Sequence, residues 1–199
     1  MIKKPSNYDA IEVVDNSFER FKLGGHKCII MSVEEYKSPN SGKTSLKIYL
    51  DTDKTDSQPS YFAEVYRRDT RPEKTWDNRA IIYLPLGEEE TQVRMFKAGI
   101  TAIEKSNKFK WNWNEQELIN KKVGCEFGLE EYKAQDGNIK TKTRARRLRS
   151  IDKIGEIEIE PDVKTLNNGY VPYDEYMEKR ELSSQSQTTV EINPSDLPF

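Results

Sequence analysis

The stretch KTSLKIYLD, Lys43–Asp51, alternates along its length. Leu46, Ile48 and Leu50 fall on one parity, while Lys43, Ser45, Lys47 and Tyr49 fall on the other. Successive side chains of a β-strand point to opposite faces, so this spacing predicts a strand with one face in a core and one in water. The mixed apolar run before it, HKCIIMSVEEY (His26–Tyr36), reads as another strand, and SPNSG between them is a turn cluster. The two predict a hairpin with one buried face.

Downstream, YFAEVY (Tyr61–Tyr66) reads as a third β-like stretch, and RAIIYLPL (Arg79–Leu86) resumes β character. The segment between them, RRDTRPEKTWDNR, is too rich in charge for a core strand and contains Pro72, so it predicts an exposed loop or flap. After Gly87 the period changes. Val93, Phe96, Ile100 and Ile103 recur at steps of three and four, predicting a helix from about Glu89 to Lys105, with Glu88, Glu89 and Glu90 favourably placed at its N-terminus. Asn114 and Glu117 then have the spacing of a capping box for a single turn. KKVGCEFGLEEYK, the turn AQDGN and IKTKTRARRLRSI make a second hairpin, and the phrase EEYK closes a cysteine-bearing strand in both hairpins, at Glu34–Lys37 and Glu130–Lys133.

This order predicts a mainly β domain: a five-stranded Greek-key barrel of the OB-fold type with one helix between strands 3 and 4, or a looser β-sandwich built from the same hairpins. The expected organisation is a polar leader over residues 1–22, a domain over 23–154 and an acidic tail over 155–199. That tail holds one short helix near YDEYMEKREL and a flexible linker at SSQSQTT.

Charge divides the chain in the same place. Residues 1–150 carry an excess of five positive charges and residues 151–199 an excess of seven negative ones. A basic body with an acidic tail points to an anionic ligand on the body. No apolar run approaches a membrane span, and MIKKPSNYDA lacks the apolar stretch of a signal peptide, so a cytoplasmic location is expected. Cys28 and Cys125 are far apart without a CxxC spacing and read as small buried hydrophobes. With His26, the only histidine, they fall one ligand short of a zinc site, so neither metal nor cofactor is expected.

The last predicted strand is the most informative for chemistry. In NIKTKTRARRLRS, Lys140, Lys142, Arg144 and Arg146 alternate with Ile139, Thr141, Thr143 and Ala145, which places four cations on one face. Arg147 and Arg149 add charge beyond a bulge, and no acid occurs between Asp136 and Asp152. A solvated sheet face mixes in acids; an unrelieved row of cations is the footprint of nucleic-acid binding. Aromatic residues interleave with cations elsewhere: Lys47 with Tyr49, Tyr66 with Arg67 and Arg68, Trp76 with Arg71 and Arg79, and Trp111 and Trp113 with their neighbouring lysines. Single-stranded nucleic acid asks for this pairing, because cations follow phosphates and flat rings stack on unpaired bases. Trp76 lies amid polar residues and reads as a stacking ring, whereas Trp111 and Trp113 serve equally well as core. A catalytic alternative, a metal-dependent nuclease built on Asp51, Asp53, Asp56 and Glu64, has no supporting motif. A protein-only adaptor is the other rival.

The chain finishes...VEINPSDLPF, an acid followed by Leu197, Pro198 and Phe199 at the end of a polar tail. This tip resembles that of bacterial single-stranded DNA-binding proteins, and the body is similar in pattern to bacteriophage-encoded single-stranded DNA-binding proteins, which share the OB-fold. The resemblance implies a non-enzymatic protein that coats single-stranded DNA in phage replication or recombination. By the same resemblance Asp196, Leu197, Pro198 and Phe199 dock on replication and repair partners, the ring in an apolar pocket. Whether the protein forms a homo-oligomer stays open at this level.

Overall fold

The structure is a computed structural model and describes residues 19–167 and 169–188. Five longer strands carry the fold: β1 (Gly24–Lys37), β2 (Thr44–Thr52), β3 (Ile81–Pro85), β4 (Lys122–Lys133) and β5 (Ile139–Arg149). Two short ones, β6 (Val163–Lys164) and β7 (Tyr170–Val171), extend the sheet. Helix α1 spans Tyr61–Arg68, α2 spans Glu90–Asn107 between β3 and β4, and α3 spans Tyr173–Thr188.

The sheet runs β3-β2-β1-β4-β6-β7, with β5 paired to β4. All of these pairings are antiparallel except β4 with β6, which is parallel at Glu130 and Lys164. The expected hairpins and the helix between β3 and β4 are present, but the protein is mixed α/β and its sheet is open rather than a closed five-stranded barrel. Among the described residues no ladder joins β3 to β5. Arg144 of β5 instead reaches the turn that leads into β3, donating from Nη1 to the carbonyl of Asn78 at 3.0 Å.

The alternation in β2 sets the core. Leu46, Ile48 and Leu50 are buried, and opposite them lie Ile30 and Val33 of β1 and Ile82 and Leu84 of β3. Cys28, Val123, Cys125, Phe127 and Leu148 continue the layer into β4 and β5, and Ile100 and Ile103 of α2 cover it. Each such side chain contributes ~1.5–3 kcal/mol by leaving water. Both cysteines are buried free thiols.

The third β-like stretch is not a strand but helix α1. Tyr61 and Phe62 are its buried residues, and Val65, one turn on, packs against the core. The helix starts there because Asp51 of β2 accepts from the backbone N–H groups of Phe62 (2.9 Å) and Ala63 (3.2 Å), supplying a cap that Ser60 does not. Burial pushes the Asp51 carboxyl up, and these backbone donors oppose the rise. The anticipated capping box after α2 also takes another form. The Asn114 side chain accepts from the backbone of Gln116, while Glu117 takes the N–H of Asn112 instead of reaching back to Asn114.

Residues on both sides of the strands belong to the packed body. Phe21, at the end of the polar leader, is buried against His26 (4.5 Å between ring centroids), Tyr61, Phe62 and Phe127. Beyond β5, Pro161 and Val163 are buried, and the acidic segment is held by Tyr176, whose hydroxyl donates to Glu131 at 2.9 Å.

His26 is 2% exposed, with Nδ1 at 2.9 Å from Asp56 and Nε2 at 3.0 Å from the carbonyl of Lys22. Burial by itself pushes the Asp56 carboxyl up. The His26 ring and the backbone N–H groups of Gln58 and Lys27 outweigh it and hold that carboxyl below its usual value. A depressed carboxyl contributes stability that is complete above its unfolded value of about 3.9 and is lost as the pH falls through its folded value. Asp56→Asn is therefore expected to lower stability at pH 7 and to flatten the acid limb of the stability curve. Urea unfolding between pH 2 and 7 measures both; parallel curves for the two proteins would contradict the assignment.

Candidate nucleic-acid interface

The basic strand is organised by a β-bulge. On β5, Ala145 pairs with Phe127 and Arg147 with Glu126, so Arg146 is the extra residue with no partner on β4. Before the bulge, Ala145 packs on the core and Lys140, Lys142 and Arg144 face outward; after it, Leu148 is buried and Arg147 and Arg149 face outward. A strict period of two would have sent the last two to the side opposite the first three. The bulge keeps five cations on one face.

Arg146 itself leaves that row. Its guanidinium lies against Gly128, where any larger residue would collide with it. It donates through Nη1 to the Asp162 carbonyl at 2.5 Å and through Nη2 to the Leu129 carbonyl. Its Nε is buried without a partner among the described residues. Burial pulls the Arg146 guanidinium below its usual value. Arg146 thus ties the segment after β5 to the sheet.

The strand's own sequence holds no acids, yet its neighbours supply them. Arg144 lies 3.3 Å from Glu130, Arg147 lies 3.8 Å from Glu126, and Lys140 lies 2.8 Å from Asp136. Lys142 stands 5.0 Å over the Tyr132 ring. Glu130 and Glu126 come from β4, across the ladder, where reading along one strand does not find them, while Asp136 lies in the turn just before β5.

Lys47 and Tyr49 are on the same outward side, on β2. Glu34, opposite Lys47 on β1, accepts from Lys47 Nζ at 2.8 Å and from the Tyr49 hydroxyl at 2.6 Å. These two donors hold the Glu34 carboxyl below its usual range. Burial works against the charge on Lys47, but Glu34 and Tyr49 together more than offset it and raise the ammonium above its usual value. Two further rings complete the cluster: Tyr83 of β3 pairs with Lys47, and Tyr36 lies 5.4 Å from Tyr83 and 5.2 Å from the Lys47 ammonium. Tyr36 and Tyr83 were missed from sequence, although their parity relative to buried Val33 and Leu84 marks them as outward-facing.

The flap residues are more committed to the fold. Trp76, read as an exposed stacking ring, is half-buried, packs on the core and donates from its indole N–H to the Leu50 carbonyl at 3.0 Å. Tyr66 lies 5.7 Å from Trp76, and Lys74 caps the Tyr66 ring at 4.5 Å. Arg67 pairs with Glu64, and exposed Arg68 ends α1. Arg71 pairs with Asp69 at 2.6 Å, holding that carboxyl down at about 2. Arg79 pairs with Asp77 at 2.7 Å and lies 5.6–5.7 Å from the Tyr61 and Phe62 rings.

Trp111 and Trp113 sit beside α2 against Phe96; Trp111 touches the core and Trp113 is exposed. The tip residues Asp196, Leu197, Pro198 and Phe199 lie outside the described residues. The acids considered for a nuclease have other partners: Asp51 caps α1, Asp53 holds Thr55 and Lys122, Asp56 holds His26, and Glu64 pairs with Arg67. Among the described residues no three His, Cys, Asp or Glu side chains converge on a metal position, and no helix is long and apolar enough to cross a membrane.

No protein-family model matches this chain, and no curated protein is similar to it.

Proposed function

We propose that the protein binds single-stranded DNA on the outward face formed by β5 and the β1–β2–β3 meander. The observation that carries this reading is the bulge at Arg146, which keeps Lys140, Lys142, Arg144, Arg147 and Arg149 on one side of the sheet. Lys47, Tyr36, Tyr49 and Tyr83 occupy that same side. The cations supply a phosphate track, and the tyrosines supply faces on which unpaired bases stack, each worth ~1–3 kcal/mol. Two long hairpins, a helix between β3 and β4, and the β1–β4 pairing support an OB-like arrangement with an unpaired seam between β3 and β5. In the same reading the chain coats DNA in a phage-type replication or recombination process, without catalysis, and Asp196–Phe199 engage partner proteins.

Retention on single-stranded DNA resin, challenged with duplex DNA and RNA competitors, tests this function. The expected result is retention released by single-stranded competitor and by salt, but not by duplex. A protein-only adaptor passes through the resin, and metal-dependent loss of the DNA during incubation would signal a nuclease.

Glu34 competes with phosphate for Lys47 and Tyr49. Glu34 is half-exposed, so the pair is worth about 1 kcal/mol, and Glu34→Gln is expected to tighten oligonucleotide binding about 2–5-fold. Fluorescence titration measures the change; equal or weaker binding would remove Lys47 and Tyr49 from the interface.

A further inference from the structure

The aromatic groove beside α2 has no role in the phosphate track. After α2 the chain turns back on itself, and Lys108 and Trp113 adopt positive φ angles of 52° and 62°. Left-handed backbone at such residues costs ~1 kcal/mol or more, so contacts must hold the turn. Glu104 accepts from the Trp111 backbone N–H at 3.0 Å, and the Trp111 indole donates to the Asn114 carbonyl at 2.7 Å. The turn stands Trp113 against Phe96 (6.1 Å, 17° between planes) and 5.0 Å from Trp111.

Together with Val93 and Ile100 these rings wall a groove of about 330 Å³. Trp113 remains 75% exposed and Val93 47% exposed. Wide apolar surface held open by a strained turn marks an interaction site. At the rim, Lys110 pairs with Glu104 at 3.2 Å, while Lys97 has no ion pair among the described residues. One unpaired cation and a wall carboxylate suit a peptide with a single acid better than a phosphate chain, whose track lies on β5.

This chain contains such a peptide. Asp196 precedes Leu197, Pro198 and Phe199, two compact apolar groups and a ring, within the eleven residues 189–199 that follow α3. Extended, that many residues span roughly 36–40 Å. We propose that the Phe96–Trp111–Trp113 groove is a receptor for Asp196–Phe199, with Leu197, Pro198 and Phe199 against the rings and Asp196 toward Lys97. Any protein that captures the tip then competes with the body for it. This inference stands whether or not the sheet binds DNA.

The test uses the full chain carrying Phe199→Ala, so that its own tip is disabled, and a fluorescent synthetic peptide of residues 190–199. Saturable anisotropy is expected, weakened at least ~10-fold by Trp113→Ala, as for a central aromatic anchor. Val93→Ser, a second exposed wall position, should weaken it too. In parallel, iodide should quench tryptophan emission more in Phe199→Ala than in the unmodified chain. Dependence of that difference on protein concentration identifies a neighbouring copy as the donor, and independence identifies the same copy; both outcomes support the groove as receptor. Peptide binding unchanged by Trp113→Ala overturns the proposal. So does equal quenching with Phe or Ala at 199, including the case in which oligo-dT alone protects the tryptophans and the groove belongs to nucleic acid.

Discussion

Replacing Lys140, Lys142, Arg147 and Arg149 together by Gln is expected to weaken oligo-dT binding roughly 10²-fold at 0.15 M salt, and to flatten its salt dependence by nearly three units of slope. Each phosphate neutralised on a single strand contributes about −0.7 to the slope of log K against log salt, or roughly fourfold in affinity at that salt. The four are chosen because their side chains face water from β5. Arg144 and Arg146 are left in place, since one reaches Asn78 and Glu130 and the other holds the carbonyls of Leu129 and Asp162. Removing either would confuse folding with binding. Exposed substitutions of this kind usually change stability by no more than about 0.5 kcal/mol each, so the melting curve serves as the control. A loss confined to severalfold, with an unchanged slope, would take β5 out of the interface.

The largest stability effect is expected at Phe127. Its side chain is fully buried, with the ring 4.8 Å from Phe21, 5.5 Å from His26 and 5.8 Å from Phe62. One ring therefore joins β4 to α1, to the start of β1 and to the segment before it. Truncation leaves a cavity that these neighbours close only in part, and Phe127→Ala should cost about 3–5 kcal/mol. Against a typical total of ~5–15 kcal/mol this leaves a marginal domain. Urea unfolding monitored by circular dichroism measures the difference. A cost under about 1.5 kcal/mol would mean that the cluster repacks freely and is not the joint described here.

What sequence made legible was the local periodicity. Leu46, Ile48 and Leu50 are buried as their alternation requires, and the three- and four-residue steps of Val93, Phe96, Ile100 and Ile103 lie on a helix that differs from the expected span by one residue at its start and two at its end, with Ile100 and Ile103 buried and Val93 exposed. The elements that were misread depend on partners remote in sequence. Tyr61, Phe62 and Val65 fit either period until Asp51, on a strand ten residues back, is seen to cap the helix. Trp76 seemed isolated among polar residues because its partner is the Leu50 carbonyl across the fold. The cations of β5 seemed unrelieved because Glu126 and Glu130 meet them through a ladder. Sheet closure was equally beyond local pattern. Two strands on opposite sides of a barrel carry the same alternation whether or not their edges pair, and here no ladder joins β3 to β5 among the described residues.

The candidate interface was legible as a row of charge but not as a surface. Alternation alone placed Arg146 in the row of cations; the bulge and the space left by Gly128 lay its guanidinium against the Leu129 and Asp162 carbonyls and keep Arg147 and Arg149 on the outer face. In the proposed function, phosphate must displace the acids that pair with these cations, and they set the ionic cost of binding.

The most direct test of the central claim is a fluorescence titration of the full chain with oligo-dT across a series of salt concentrations. The account predicts saturable binding whose log K falls linearly with log salt at a slope near −3 to −4, as expected for about five phosphate contacts on a single strand. No binding at low salt, or binding indifferent to salt, would contradict it.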